Sequence, residues 1–471
     1  MSSSVNPLST LSSALSTSGS GTTSGTGLGQ GIDVQQFVQY AVANQQATIT
    51  NLQNQQSTLA SQNSEISTIQ SELTALDNAA NALSDPLGAF NAESATSSNP
   101  SILSATADGT ATAGTHTISI TNLATTSSYY TDAVASGSTA LATGDTIGIS
   151  VGGNSVANIT IDSTDNTLSS LAAAINNAQT AVQATVINDA NGARLALVSN
   201  TSGAPGNISV TGTLHLASSN TAIHFNQAVQ GINASLSVDG VPVSSASNTV
   251  TGVIPGVTLN LAAPTTVNGV DTPISLTVAP DTSQVTTAIN NLVSAYNTVT
   301  NEINGQFAVS SDGTANGVLE NDDTLRQVQS MLLSAISYSI PGNNGIVNLA
   351  SIGVNMNDDG TLTVDNSALS SALSSNFSAV QNLMQNATTG FAQNLDSVIQ
   401  TVNDPSIGLL SLDAQGNTST SNDLTDQIND LQASLTVQEQ QLTTMYAQVN
   451  TTLQELPLLE NQMSQQLSGI A

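Results

Sequence analysis

From Leu424 to Ile470 the apolar residues recur at alternating spacings of four and three. One position of this heptad reads Ile428, Leu435, Leu442, Val449, Leu456, Met463 and Ile470, with no polar member. The other reads Leu424, Leu431, Gln438, Met445, Thr452, Leu459 and Gln466. Such a repeat lines up both positions on one face of an α-helix and requires a second helix to cover it. A run this long exceeds an ordinary globular helix, so it predicts a coiled-coil seam rather than one face of a compact bundle. Gln438, Thr452 and Gln466 recur every 14 residues. Polar layers of this kind cost stability and fix register and partner number. A continuous helix would span roughly 70 Å at 1.5 Å per residue. Pro457 is expected to kink it, because proline removes a hydrogen bond from the ladder.

The N-terminal end carries a matching stripe. Val38, Leu52, Leu59, Ile66, Leu73 and Ala80 share one register, which Gln45 interrupts. Val42 and Ile49 fill the partner position early, and Ile69, Leu76 and Leu83 fill a neighbouring one later. The spacing predicts a long helix with a phase shift in its seam. Ser84-Asp85-Pro86-Leu87-Gly88 ends it. Residues 1–30 are rich in Ser, Thr and Gly without periodicity and read as disordered in isolation.

Between the two ends the pattern changes to short alternating runs. His116-Thr-Ile-Ser-Ile-Thr-Asn, Ile147-Gly-Ile-Ser-Val and Ile159-Thr-Ile read as strands. Leu168, Leu171 and Ile175 mark a short helix capped by Asp165 or Thr167. Ala184-Thr-Val-Ile and Arg194-Leu-Ala-Leu-Val flank a turn and form a hairpin. Leu236-Ser-Val-Asp-Gly-Val-Pro-Val243 forms another, on an Asp-Gly turn. Helical spacing returns around 289–303, 325–336, 369–384 and 391–402. The expected fold class is therefore α+β and multidomain. Paired N- and C-terminal coiled-coil helices and a helical domain carry two β-rich domains inserted between them. Antiparallel terminal helices bring the entry and exit of such an insertion together. The expected boundaries are 1–45 with 425–471 for the legs and 46–95 with 283–424 for the helical domain. The two β-rich domains are expected at 96–130 with 231–282 and at 131–230.

Charge limits what this chain can bind. It has 32 acidic residues, no Lys, and two Arg, Arg194 and Arg326, for a net charge of −30. Phosphate recognition needs clustered Lys or Arg, so nucleic acid is excluded as a partner. Anionic membrane surfaces are excluded for the same reason, and no apolar run is long enough for membrane insertion. No cysteine is present, so there is neither a disulfide nor a thiolate. The N-terminus has no basic region and no long apolar run, so no cleaved signal peptide is expected. Only 7% of residues are charged. Protonating the carboxylates below about pH 4 leaves a charge of roughly +6, too small for strong self-repulsion.

No constellation for catalysis emerges, and the chain is read as a non-enzyme with no cofactor. His116, His215 and His224 match no zinc spacing and read as structural or surface residues. No Gly-x-Ser-x-Gly elbow is present. Gly25-Thr-Gly-Leu-Gly-Gln-Gly31 follows no strand and has no Lys, so it reads as a joint before the first helix. Asn321-Asp-Asp323 reads as a helix cap and Asp358-Asp-Gly360 as a hairpin turn, neither completing a calcium loop. Arg194 and Arg326 are expected to pair with nearby carboxylates. The function-bearing residues are then the seam positions Val38, Leu52, Leu59, Ile66, Leu73, Ile428, Leu435, Leu442, Val449, Leu456, Met463 and Ile470.

Several segments, in order, are similar to those of one known family. They are Gly29-Gln-Gly-Ile-Asp-Val-Gln-Gln-Phe-Val38, Gly114-Thr-His-Thr-Ile-Ser-Ile-Thr-Asn-Leu-Ala124 and Asp165-Asn-Thr-Leu-Ser-Ser-Leu-Ala-Ala-Ala-Ile-Asn176 with Asn191-Gly-Ala-Arg-Leu195. Leu236-Ser-Val-Asp-Gly-Val, Asn248-Thr-Val-Thr-Gly-Val-Ile-Pro-Gly-Val-Thr-Leu259, Ala295-Tyr-Asn297 and Gly360-Thr-Leu-Thr-Val-Asp365 follow. Each motif is short; their collinearity carries the resemblance. The chain resembles the bacterial flagellar filament-capping proteins, the hook-associated proteins of type two. The resemblance implies helical legs inserted in the filament end, and a ring of copies, commonly five. It also implies flagellin as partner and a cytoplasmic chaperone on the C-terminal helix. Export would follow the flagellar type III pathway to the distal end of the filament.

The charge pattern fits work outside the cell in an acidic medium. The folded chain is expected to survive from pH 3 to 5 at mild temperature. Loss of its circular dichroism signal in that interval would contradict the reading.

Overall fold

The computed structural model describes residues 34–468 apart from 179–180, 312 and 314–315, with only the backbone given for Gln36, Leu467 and Ser468. The stretch read as disordered, residues 1–30, and the seam residue Ile470 lie outside the described residues. Helix α1 runs Val34–Ser84 and stops at the expected Asp-Pro break. The chain then divides into two compact units, Asp85–Ala288 and the remainder.

The Asp85–Ala288 unit holds two separate apolar cores. The first lies between two antiparallel sheets. One has the order Glu93–Ser97, Ile274–Pro280, Gly114–Asn122, Ala234–Val238, Val241–Ser245. The other has the order Thr249–Thr251, Val257–Leu261, Leu103–Ala107. Ile118, Ile120, Leu236, Leu259 and Leu276 are among its buried side chains. Alternation accounts for this, since every second residue of a strand faces the same side. The Asp239-Gly240 turn joins two of the strands with φ of 51° and 81°. Positive φ at both central residues is the backbone twist that a two-residue hairpin needs.

The second core is built from the chain between Asn122 and Ala234, so one β-domain is nested within the other. A four-stranded sheet (Phe225–Val229, Thr126–Thr131, Gly192–Ser202, Val182–Asp189) and a three-stranded one (Asn154–Thr160, Thr146–Val151, Ile208–Thr211) enclose it. Helix α2, Leu168–Asn177, adds Leu168, Leu171 and Ile175. Of the two expected caps Thr167 is the one used. Its hydroxyl accepts from the Ser170 N–H at 3.1 Å, and the Ser170 side chain returns a bond to the Thr167 backbone.

The other unit is helical. Helix α3 spans Thr282–Phe307, α4 Asp323–Ile336, α5 Asn366–Gln385, α6 Phe391–Asn403 and α7 Leu409–Ser468. Asp322 caps α4 by accepting from the Leu325 N–H at 2.8 Å, the role expected of the Asn-Asp-Asp segment. The Asp358-Asp-Gly360 segment turns the chain between strands Val354–Met356 and Leu362–Val364. Helix α5 breaks at Asn376, where φ is −140° and ψ 40°. Helix α7 has 60 residues, starts well before the seam, and continues on both sides of Pro457. Among the described residues no helix is long and apolar enough to cross a membrane.

Thr167→Ala removes both bonds of the α2 capping box. The β-rich unit should lose about 1 kcal/mol, seen in urea denaturation followed by tyrosine fluorescence.

The paired terminal helices as candidate assembly site

Helices α1 and α7 run antiparallel. At one end the Phe37 and Tyr446 rings lie 5.9 Å apart, and at the other Gln70 reaches Ser411. Val42, Ile49, Ile428 and Leu435 are buried together between them, with Leu52, Leu431 and Leu442 packed at the edge. Val38, Ile66 and Leu73 are buried too, and Leu59 is half-buried.

A second set of contacts was not anticipated from the apolar pattern. Gln56 donates through Nε2 to the Ser421 carbonyl at 3.0 Å and to Thr425 Oγ1 at 2.6 Å. Asn63 donates through Nδ2 to Thr418 Oγ1 at 3.2 Å, and Gln70 through Nε2 to Ser411 Oγ at 2.9 Å. The three donors are seven residues apart, as are Ser411, Thr418 and Thr425. They continue the heptad position that Val42 and Ile49 begin. The ladder of amide-to-hydroxyl bonds therefore runs from the early apolar pair Val42 and Ile49 into the later set Ile69, Leu76 and Leu83, across which the N-terminal stripe shifts phase. The signal was present as Gln, Asn, Gln at heptad spacing opposite Ser, Thr, Thr.

Past Tyr446 the arrangement changes. Gln438 is half-buried, but Val449, Leu456, Leu459 and Met463 lie 42%, 46%, 57% and 60% exposed. Thr452 and Gln466 are also exposed, and the Thr452 hydroxyl donates back to the Gln448 carbonyl at 3.0 Å. The structure therefore brings the first half of the C-terminal seam against α1. It leaves the described second half facing outward.

The remaining polar groups serve the fold. His116 pairs with Asp239 at 2.8 Å, His215 with Asp145 at 3.1 Å and His224 with Asp132 at 3.0 Å. These bonds, with backbone N–H groups, hold Asp132 and Asp239 below the usual carboxylate range. Neither Arg meets a carboxylate among the described residues, contrary to expectation. Arg194 donates to the Thr131 carbonyl at 3.1 Å and lies 5.6 Å over the Tyr130 ring. Its cross-strand neighbour is Ile187, so the register offers it no acid. Arg326 donates to the Glu320 carbonyl and lies 4.6 Å over Phe307. The adjacent Asp322 is occupied as the α4 cap. A cleft beside Tyr296, Asn304, Gln329 and Met356 contains amides and a buried phenol, which burial pushes above its ordinary pKa. Among the described residues no three or more His, Cys, Asp or Glu side chains come together as a metal site would require.

The fold is that of an α+β structural subunit whose C-terminal helix is apolar-seamed and, in its described second half, exposed. Residues 30–127 match the model of the flagellar hook-associated protein 2 N-terminus, and residues 231–457 match that of its C-terminus. The gap between the two matches contains the nested β-domain. The chain is 32% identical to flagellar hook-associated protein 2 of Escherichia coli strain K12, over 94% of this chain and 97% of the relative. It is 31% identical to the B-type flagellar hook-associated protein 2 of Pseudomonas aeruginosa, over 81% and 84%. The solved D1-D2-D3 domains of the flagellar cap protein FliD from Escherichia coli superpose with a TM-score of 0.54 at 32% identity, covering 75% of this chain and 99% of that one. This chain belongs to the flagellar hook-associated protein 2 family.

Ile428→Ala should destabilise the helical unit by about 2 kcal/mol, the lower end for emptying a buried aliphatic site. Met463→Ala should change it by less than about 0.5 kcal/mol, because its side chain is exposed in the isolated chain. Guanidinium denaturation followed at a helical wavelength distinguishes the two.

Proposed function

We propose that this chain caps a bacterial flagellar filament at its distal tip, holding exported flagellin there and guiding it into the growing polymer. The observation that carries the reading is the change along α7. As far as Leu442 the seam packs on α1; from Met445 onward its apolar residues alternate with Gln and Thr and are exposed among the described residues, open to a neighbour. Such a surface suits insertion among other helices. It offers no basic side chain, since none follows Arg326, so its hold on a neighbour forms no Lys or Arg ion pair of its own. A cap must release as each flagellin is added, and a sparse apolar stripe with polar layers at Thr452 and Gln466 fits that demand.

In this reading the cap is a ring of identical copies, with five as the expected number. A chaperone covers the C-terminal helix before export, and the chain leaves by the flagellar type III route. The role is structural and needs no cofactor.

Deleting the gene should leave cells with hooks, short or absent filaments, and flagellin free in the medium. The wild-type gene should restore filaments. The triple variant Val449→Asp/Leu456→Asp/Met463→Asp should be folded but fail to restore them. Normal filaments in the deletion strain overturn the reading, and microscopy of the purified chain tests the ring.

A further inference from the structure

Three carboxyl groups in the helical unit face other carboxyls across helix boundaries. Glu65 on α1 faces Glu302 on α3, with Glu72 of α1 also near Glu302. Asp77 on α1 faces Asp396 on α6. Asp413 on α7 faces Asp322, the cap of α4. Each facing pair is close enough for a side-chain hydrogen bond. Glu65 Oε1, Asp77 Oδ1 and Asp413 Oδ2 are all buried, and none receives an N–H or O–H. A buried acceptor without a donor is costly, whereas the same oxygen carrying a proton is a donor to the carboxylate opposite it.

The facing members already act as acceptors. Asp322 receives the Leu325 N–H at the start of α4, where the helix dipole favours a negative charge. Glu302 receives the Gln306 amide at 3.2 Å. The proton therefore belongs on Glu65 and Asp413 in these two pairs. In the third, Asp396 accepts from the Gln393 and Gln400 amides at 3.5 Å and Asp77 Oδ2 from the Asn81 amide at 3.1 Å, which leaves Asp77 Oδ1 as the buried oxygen with no donor and the place for the proton. No base competes for these groups. The unit's one Arg among the described residues, Arg326 on α4, is turned over Phe307 and bound to a carbonyl. The other acids near it, Glu320 and Asp323, add negative charge.

We propose that shared protons fasten the helical unit, Glu65 donating to Glu302, Asp77 to Asp396 and Asp413 to Asp322, so that acid tightens and alkali loosens the hold of α1 and α7 on the helices between them. The inference is independent of the capping role. It extends the composition argument: the chain tolerates acid at its surface and uses acid in its interior.

The expected pH window follows from the direction of the shifts. Burial and the facing carboxyl push Glu65 up to about 7, and Asp77 and Asp413 up to about 6. A carboxyl raised on folding binds its proton more tightly in the folded chain. Its contribution is complete below its unfolded value near 4 and is lost as pH climbs through the folded value. Asp359 and Asp404 act in the opposite sense. The Thr361 hydroxyl and N–H hold Asp359, and the Ser406 and Ile407 N–H groups hold Asp404, below the usual range, so their contribution is lost only in stronger acid. Stability of the helical unit should peak near pH 4 to 5.

The test is guanidinium denaturation of the full chain at pH 5 and pH 7.5, read at a helical wavelength. The wild-type unfolding constant should rise with pH, by up to about tenfold per unit for each proton taken up on folding. Glu65→Gln/Asp77→Asn/Asp413→Asn keeps a donor in each pair and cannot lose it, so its stability should fall much less with pH than the wild type's, the remaining dependence coming from Glu72. Should the triple variant not fold, the wild type alone still decides. Calorimetry of refolding at pH 6 in two buffers of different ionisation heat must show proton uptake, and infrared spectra must show protonated carboxyls in the folded chain. Wild-type stability that is flat or rises with pH overturns the proposal. So does a triple variant with the wild-type slope, or calcium at pH 7.5 stabilising as acid does.

Discussion

Long helices that pack side by side in water on an apolar seam usually carry Lys and Arg beside it, whose charges offset those of the flanking acids. This chain has no Lys and places both Arg against carbonyls and aromatic rings. Every junction between its helices must therefore be made from apolar contact, neutral hydrogen bonds or protonated acids. The α1–α7 pair uses the first two in succession, Val42 and Ile49 giving way to Gln56, Asn63 and Gln70 at the same heptad position. The amide ladder adds specificity more than strength, since a neutral hydrogen bond exchanged with water contributes only about 1 kcal/mol. It fixes the antiparallel register, because a slip by one heptad would leave an amide without its hydroxyl.

The β-rich unit begins with strand Glu93–Ser97 and ends with strand Ile274–Pro280, and these two pair side by side, so its entry and exit lie together. A domain can be inserted where its two chain ends lie close together. The nested β-domain repeats the device, entering from a strand that ends at Asn122 and leaving into one that starts at Ala234; Asn122 donates to the Asn233 carbonyl at 2.8 Å. The nested core is thus assembled from one continuous stretch, while the core that carries it is assembled from the segments on either side, so the nested domain could vary without disturbing its carrier. That the matches to the family cover residues 30–127 and 231–457 and skip the nested domain agrees with this physical modularity.

Much of this was legible in the sequence because it is local. The heptads at Ile428 and Leu435, the Asp239-Gly240 hairpin, the Thr167 and Asp322 caps and the Asp-Pro stop each depend on residues a few positions apart. What was missed depends on distance along the chain. Nothing near Glu65 announces that Glu302 will face it, and nothing near Asp77 announces Asp396. The Arg residues were misjudged for a related reason. A rule of nearby opposite charge takes no account of whether strand register or a helix cap has already committed the acids. Heptad spacing shows that a stripe needs covering; it does not show over what length α1 supplies the cover.

That length gives α7 its character. A seam optimised only for stability would continue the Ile428, Leu435, Leu442 pattern with large aliphatic residues at both positions. Instead the second position alternates Met445, Thr452, Leu459 and Gln466, and the apolar side chains beyond Tyr446 are left exposed. Exposed apolar stripes are a liability in a free protein, because they invite association. Their retention is reasonable where association is the purpose and must be reversible. On the proposed reading, α7 is one helix with two functions set by composition alone. Its first half is held against α1 through Ile428, Leu435 and the Gln56, Asn63 and Gln70 ladder. Its second half carries enough apolar surface to enter a filament end and enough Gln and Thr to leave it again.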